Sequence, residues 1–187
     1  DNTFNIADNH RDKMNGVVLK AFRQNNAGAG SARNNAIVQA QGEYLAFLDA
    51  DDEWLPSKIE KSMERLGDGD KLLVAHNGWV IDDGNEIYLD TAARFQAALS
   101  ALFPGLYRRG FISTSSVVTR RQNVLDMGGF DETLPVGQDF DLWLKLLSLP
   151  DAKFEIFDQP LTKYHISSNS ITSQTEQRLE STLRIAL

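Results

Sequence analysis

An apolar run that ends in a knot of carboxylates, Tyr44-Leu45-Ala46-Phe47-Leu48-Asp49-Ala50-Asp51-Asp52, constrains this chain more than any other stretch. Apolar residues without polar alternation read as a short strand buried on both faces. In open α/β sheets, ligands bind just beyond the carboxyl ends of such strands. Asp49, Asp51 and Asp52 fall there, and carboxylates so close repel one another unless something positive joins them. With no Cys nearby, this set suits a hard divalent cation, Mg²⁺ or Mn²⁺, which usually also holds substrate phosphates. The plainer reading is an acidic turn capping the next helix.

The rest of the chain alternates strand and helix signals, which argues an α/β fold. Gly16 to Phe22 reads as a strand, and Gly28-Ala29-Gly30-Ser31 opens a helix that runs to about Gln41 and stops at Gly42. Pro56 starts a helix with Ile59, Met63 and Leu66 on one side. Leu72 to Ala75 is a strand; Trp79 to Asp82 and Glu86 to Leu89 flank Asp83-Gly84-Asn85 as a hairpin. A helix is expected over Thr91 to Leu102, a loop around Pro104-Gly105, and a strand over Ser115 to Thr119. Gly128-Gly129 breaks the chain, and an apolar-rich helix covers Asp139 to Leu149. Phe154 to Phe157 and Leu161 to His165 are short strands, and a helix from about Ser173 closes the chain.

Length and charge narrow the function classes. The 187 residues fit one domain, 1–187, with a core of useful size. A net charge of −7 gives no basic face for nucleic acid, and no Lys/Arg run suits an anionic membrane surface. The absence of Cys fits a reducing compartment. No apolar run approaches the roughly 20 residues of a membrane span. A cytoplasmic protein is therefore expected, with peripheral association at the inner face of the membrane as the further option.

Arg33 sits in the first turn of its helix, where the dipole disfavours a cation unless an anion lies nearby. The glycine-rich turn before it offers free backbone N–H groups to an anion; a surface Arg beside a turn is the plain alternative. As a dinucleotide fingerprint, Gly28-Ala29-Gly30 lacks its third glycine. Asp139 begins the helix carrying Phe140, Leu142 and Trp143. A carboxylate there stays ionised, as a general base must, or simply caps the helix. His165 ends a strand before a Ser/Asn-rich loop, as a ligand or as a structural residue. Trp54, Trp79 and Trp143 read as core before sugar platforms.

Taken in order, these pieces resemble one family. Gly30-Ser31-Ala32-Arg33-Asn34, Ala40-Gln41-Gly42-Glu43-Tyr44 and Leu48-Asp49-Ala50-Asp51-Asp52-Glu53-Trp54 look like the donor-binding half of family 2 glycosyltransferases. Gly128-Gly129-Phe130-Asp131-Glu132 and Gln138-Asp139-Phe140-Asp141-Leu142-Trp143 resemble the acceptor half, and Tyr164-His165 with Ser170 the closing segment. The resemblance covers the chain from about Asn25 onward.

It implies a GT-A fold, a mixed sheet flanked by helices, with residues 1–100 as the donor and metal half and 101–187 as the acceptor half. It also implies a nucleotide-diphosphate sugar donor, UDP-linked first, a hydroxyl acceptor such as a glycan or cell-surface polysaccharide precursor, and inversion at the anomeric carbon. Asp49 would contact the nucleotide ribose or the metal, Asp51 the metal, and Arg33 the nucleotide. Asp139 would be the base, and His165 an extra ligand to metal or diphosphate. The chemistry agrees. A departing nucleoside diphosphate gains charge that a Lewis acid stabilises, and a hydroxyl nucleophile must lose its proton to one positioned carboxylate.

Two departures stand out. Gln138 occupies a position where the family usually carries Glu. Asp1-Asn2-Thr3 looks like the residues just after the family's Asp-Asp-Gly-Ser turn, so the opening strand-helix-strand is expected to be absent. Such a chain is expected to be a fragment of a longer enzyme, inactive as given, and should bind nucleotide sugar weakly. Its Gly16–Phe22 strand would then pair elsewhere, for instance with a second copy in a homodimer. The Gln-Arg-x-Arg-Trp signature of processive synthases is missing, which points to a non-processive transferase. A catalytically silent module that binds sugar nucleotide or glycan, and a sugar nucleotidyltransferase, are the competing classes.

Overall fold

A computed structural model describes residues 2–10, 16–67, 70–99, 102–166 and 175–186. Two four-stranded mixed sheets carry the described chain. The first has the order β1-β6-β3-β7, from β1 (Tyr44–Ala46), β6 (Val118–Arg120), β3 (Leu73–His76) and β7 (Phe154–Phe157). β6 runs antiparallel to both β1 and β3, while β3 and β7 are parallel. The second has the order β2-β8-β4-β5, from β2 (Glu53–Trp54), β8 (Thr162–His165), β4 (Gly78–Asp82) and β5 (Asn85–Leu89). β4 and β5 form the expected antiparallel hairpin, with Asp83 and Gly84 both at positive φ as a tight turn requires. No helix among the described residues is long and apolar enough to cross a membrane.

Helices α1 (Thr3–Asp8), α2 (Gly28–Gln39), α3 (Lys58–Leu66), α4 (Thr91–Ala98), α5 (Leu102–Arg109), α6 (Arg121–Asp126), α7 (Gln138–Leu147) and α8 (Thr175–Ala186) accompany the strands. The main core brings Leu73, Ala75 and Ile156 of the first sheet together with Phe95, Leu106, Leu142 and Leu146 of α4, α5 and α7. Under the acidic strand, Phe47, Phe130 and Trp143 meet with ring centroids 5.6–6.2 Å apart. Aromatic contacts of this kind add about 0.5–1.5 kcal/mol each beyond simple burial. A smaller cluster of Leu66, Val74, Val118, Phe157 and Leu161 seats α3.

Three expectations need correction. Gly16 to Phe22 forms no strand: Val17 and Val18 are 63% and 78% exposed, with no ladder partner among the described residues. β-branched residues favour a strand only where a neighbour buries and hydrogen-bonds them. Pro104-Gly105 is not a loop but part of α5. Pro104 falls in the first helical turn, where a missing N–H is cheap, and a Cβ on Gly105 would come within 2.5 Å of Ala98 Cβ. Glycine there lets α5 cross α4 closely. Ser115 to Thr119 is a 3-10 turn over Thr114–Ser116 followed by β6. The start of the last helix near Ser173, and Ser170, lie outside the described residues.

Two buried bases lie beneath this framework. Lys58 is 1% exposed, its Nζ 3.4 Å from the Val117 carbonyl and 4.4 Å from the Trp54 ring centroid. Burial pushes its ammonium down to about 7, and pushes the neighbouring His76 down to about 4. In both cases the unfolded chain binds the proton more readily than the fold does. Stability should therefore rise with pH across two windows, from about 4 to 6.5 for His76 and from about 7 to 10.5 for Lys58. Urea midpoints taken through both windows test this, and Lys58→Met should flatten the upper one only.

Candidate active site

The acidic strand delivers its carboxylates as expected, but each meets a different fate. Asp49 Oδ1 accepts from Arg33 Nη2 at 2.5 Å, and the Arg33 guanidinium lies 5.3 Å from the Phe130 ring centroid. Asp52 is buried; its Oδ2 accepts from the Ser115 hydroxyl at 2.5 Å and its Oδ1 from the His165 backbone N–H at 3.3 Å. Burial pushes the Asp52 carboxyl up, and the charges of Asp49 and Asp51 add to that. The Ser115 and His165 donors act the other way. Asp51 is exposed and makes no hydrogen bond or ion pair among the described residues. Of the three, Asp51 alone has no side-chain partner among the described residues.

Asp52 is therefore a brace between the end of the acidic strand and β8. It draws the His165 backbone to that end, while the His165 ring turns to Glu53, with Nε2 3.0 Å from Oε1. His165 thus lies beside the acidic turn, already paired to a carboxylate. Among the described residues, no group of three or more His, Cys, Asp or Glu side chains converges as a metal cage. A cation that keeps most of its waters and is shared with substrate phosphates needs only one or two carboxylates. Asp51 fits that looser mode.

The glycine-rich turn serves packing more than anion capture. Gly28, at φ +84°, donates its N–H to Asn26 Oδ1 at 3.1 Å. A Cβ on Gly30 would come within 3.2 Å of Gln138 Cγ, so its absence lets α2 approach the start of α7. Asn34 completes this join. Its Nδ2 donates to the Phe130 carbonyl at 2.8 Å and to Glu132 at 2.9 Å, and its Oδ1 accepts from the Phe130 N–H at 2.9 Å. Gly129, at φ +77°, lies so close that a Cβ would come within 2.5 Å of Asn34 Oδ1. The Gly128-Gly129-Phe130 break is thus shaped to bring Phe130 beneath Arg33.

Asp139 lies in the first turn of α7. Its Oδ2 accepts from Thr114 Oγ1 at 2.6 Å and its Oδ1 from the Phe140 N–H at 2.9 Å. Gln138 is 5% exposed and donates from Nε2 to the Leu134 carbonyl at 2.8 Å. A carboxylate there would set oxygen against oxygen in a dry site, which explains why an amide suits this chain.

Thr114 and Ser115 escaped the sequence reading, which placed Ser115 in a strand. They carry the contacts that unite the site. Thr114 holds Asp139 while Ser115 holds Asp52 and accepts the Asp49 N–H at 3.1 Å. The Ser115 carbonyl in turn accepts from Trp54 Nε1 at 2.9 Å. The signal was present in Ser113-Thr114-Ser115-Ser116, since clustered hydroxyls compete with sheet ladders and favour turns.

Known proteins resemble this chain in sequence and in fold. The sequence model of the family described as "Glycosyl transferase family 2" matches residues 1–123. The amylovoran biosynthesis glycosyltransferase AmsB of Erwinia amylovora is 36% identical over 158 residues, covering 80% of this chain and 50% of that protein. The crystal structure of S. aureus TarS in complex with UDP superposes with a TM-score of 0.66 at 18% identity, over 99% of this chain and 51% of that one. The mannosyltransferase PcManGT of Pyrobaculum calidifontis, in complex with GDP-Man and Mn²⁺, superposes at 0.67 with 12% identity, over 99% and 50%. These likenesses make the fold the GT-A fold. The chain spans half or less of the length of the first relatives it matches.

Proposed function

Because this chain belongs to glycosyl transferase family 2, we propose that it moves a sugar from a nucleotide-diphosphate donor to a hydroxyl acceptor by a single inverting displacement. One observation carries the reading. Adjacent residues, Thr114 and Ser115, hold Asp139 and Asp52, so the acidic turn and the candidate base meet at one point of the fold. A reaction between a diphosphate-linked carbon and a hydroxyl needs those two functions side by side.

In this reading Arg33 and Asp49 take the nucleotide portion of the donor. Their ion pair, with side chains 20% and 33% exposed, is open enough to exchange contacts with a ribose or a phosphate. Asp51 and the donor diphosphate would hold a divalent cation, Mn²⁺ or Mg²⁺, whose charge offsets that of the departing diphosphate. The PcManGT complex with GDP-Man and Mn²⁺ supports the use of a divalent cation. His165, beside the turn, would approach the diphosphate or the metal on release from Glu53. Asp139 receives the acceptor proton; Thr114 Oγ1 fixes one of its oxygens and the Phe140 N–H the other. These two bonds fix the orientation of the carboxylate that would take the acceptor proton. A single displacement needs no covalent nucleophile. Support for a glycan acceptor comes from AmsB, named for amylovoran biosynthesis.

A thermal-shift panel of nucleoside diphosphates, each with and without Mn²⁺, tests the reading. UDP with Mn²⁺ is the expected responder. A ligand at a hundredfold its Kd adds about 2.7 kcal/mol, or about 5–11 °C in Tm for a domain of this size. Metal-independent shifts, or none with any nucleotide, would overturn the reading. Metal-dependent release of free sugar from the responding donor separates an enzyme from a silent binding module.

A further inference from the structure

Asp139 lines a cavity of about 350 Å³ formed by α5, the N-terminal half of α7 and the length of α8 from Arg178 to Ile185. That volume lies within the roughly 300–1,000 Å³ typical of small-ligand pockets. Part of its wall is aromatic: the Tyr107 and Phe140 rings stand 5.8 Å apart, and both line the cavity. The Tyr107 hydroxyl donates to the Thr182 carbonyl at 2.8 Å, so its hydrogen is spent on α8. Aliphatic faces of a sugar ring suit such a wall.

The charged lining residues are Arg108, Arg178 and Asp139. A positive balance is unusual in a chain of net charge −7. Arg108 forms no ion pair among the described residues. As a cation in the last turn of α5 it is favoured by the helix dipole, by a fraction of a kcal/mol. Arg178, from a different helix, lines the same cavity. Asp139 does not face them as a free counter-charge, since Thr114 and Phe140 already donate to its two oxygens. Planar guanidinium groups match carboxylate and phosphate oxygens in shape as well as charge.

We propose that this cavity takes an acceptor sugar bearing an anionic substituent, a carboxylate or a phosphate. Arg108 and Arg178 hold the anion, Tyr107 and Phe140 flank the ring, and a hydroxyl is directed to Asp139. The role given to Asp139 rests on the transferase reading; the anion site does not.

The test is an NMR titration of the ¹⁵N-labelled chain, without donor, using methyl glucuronide, glucose 1-phosphate and methyl glucoside. The indole N–H of Trp143, which lines the cavity and has no hydrogen-bond partner among the described residues, is the local reporter. At least one of the two acidic probes should move it, and their relative Kd values distinguish carboxylate from phosphate. Methyl glucoside at equal concentration should not. In Arg108→Gln combined with Arg178→Gln, the acidic probe should bind about tenfold more weakly or worse, the loss of one charge-assisted contact. Equal shifts from neutral and acidic probes, no response to any, or undiminished binding in the double variant would overturn the proposal. Should the double variant fail to fold, the comparison of neutral with acidic probes in the unsubstituted chain decides alone. With donor absent, failure here leaves the transfer reading standing, and a failed transfer assay leaves this result standing.

Discussion

Asp139→Asn should lower the transfer rate by about 10²- to 10⁴-fold, the usual cost of removing a general base. The substitution keeps the architecture. Asn retains an oxygen for the Phe140 N–H, and the Thr114 hydroxyl can turn to accept from the new amide instead of donating to Oδ2. What it loses is the capacity to take a proton. Donor affinity should change little, because nothing places Asp139 at the Arg33–Asp49 pair. Parallel measurement of turnover and donor Kd decides the matter: weakened donor binding at nearly full rate would make Asp139 a cap and not a base.

Asp51→Ala should remove several kcal/mol of transition-state stabilisation with almost no effect on folding. Asp51 is exposed and makes no hydrogen bond or ion pair among the described residues, so its loss should change stability by no more than about 0.5 kcal/mol. Asp52→Ala makes the contrast. It strands the Ser115 hydroxyl and the His165 N–H, at about 1–3 kcal/mol for a buried unmet partner. Chemical denaturation of both variants, beside metal-dependent nucleotide binding, separates the two carboxylates. Near wild-type turnover in Asp51→Ala would show that the cation, if used, is held elsewhere.

Much of this was legible in the sequence because local patterns agreed with long-range packing. The Asp83-Gly84 turn set its hairpin, the apolar helix carrying Trp143 found the core, and the acidic strand delivered its carboxylates to one end. Side-chain partnerships between distant segments were not legible. Nothing near Asp52 shows that Ser115 would claim it, or that Arg33 would find Asp49 sixteen residues on. Gly16 to Phe22 failed for a related reason: the residues have strand character, but pairing depends on a neighbour that no local pattern supplies. Pro104-Gly105 carries strong turn signals that tertiary contact overrode, with Gly105 chosen for its closeness to Ala98.

The turn at Thr114–Ser116 has a consequence for engineering. Because consecutive residues grip carboxylates from opposite halves of the site, the halves are not interchangeable parts. A chimera that joins the first hundred residues of one relative to the remainder of another would take its turn from one parent and its Asp52 from the other. Such exchanges should succeed only when the hydroxyl at position 115 and its acidic mate travel together. Substitutions meant to retune one half should show non-additive effects with changes in the other. Double-mutant cycles between Ser115 and Asp139, which share no hydrogen bond, would measure that mechanical linkage directly.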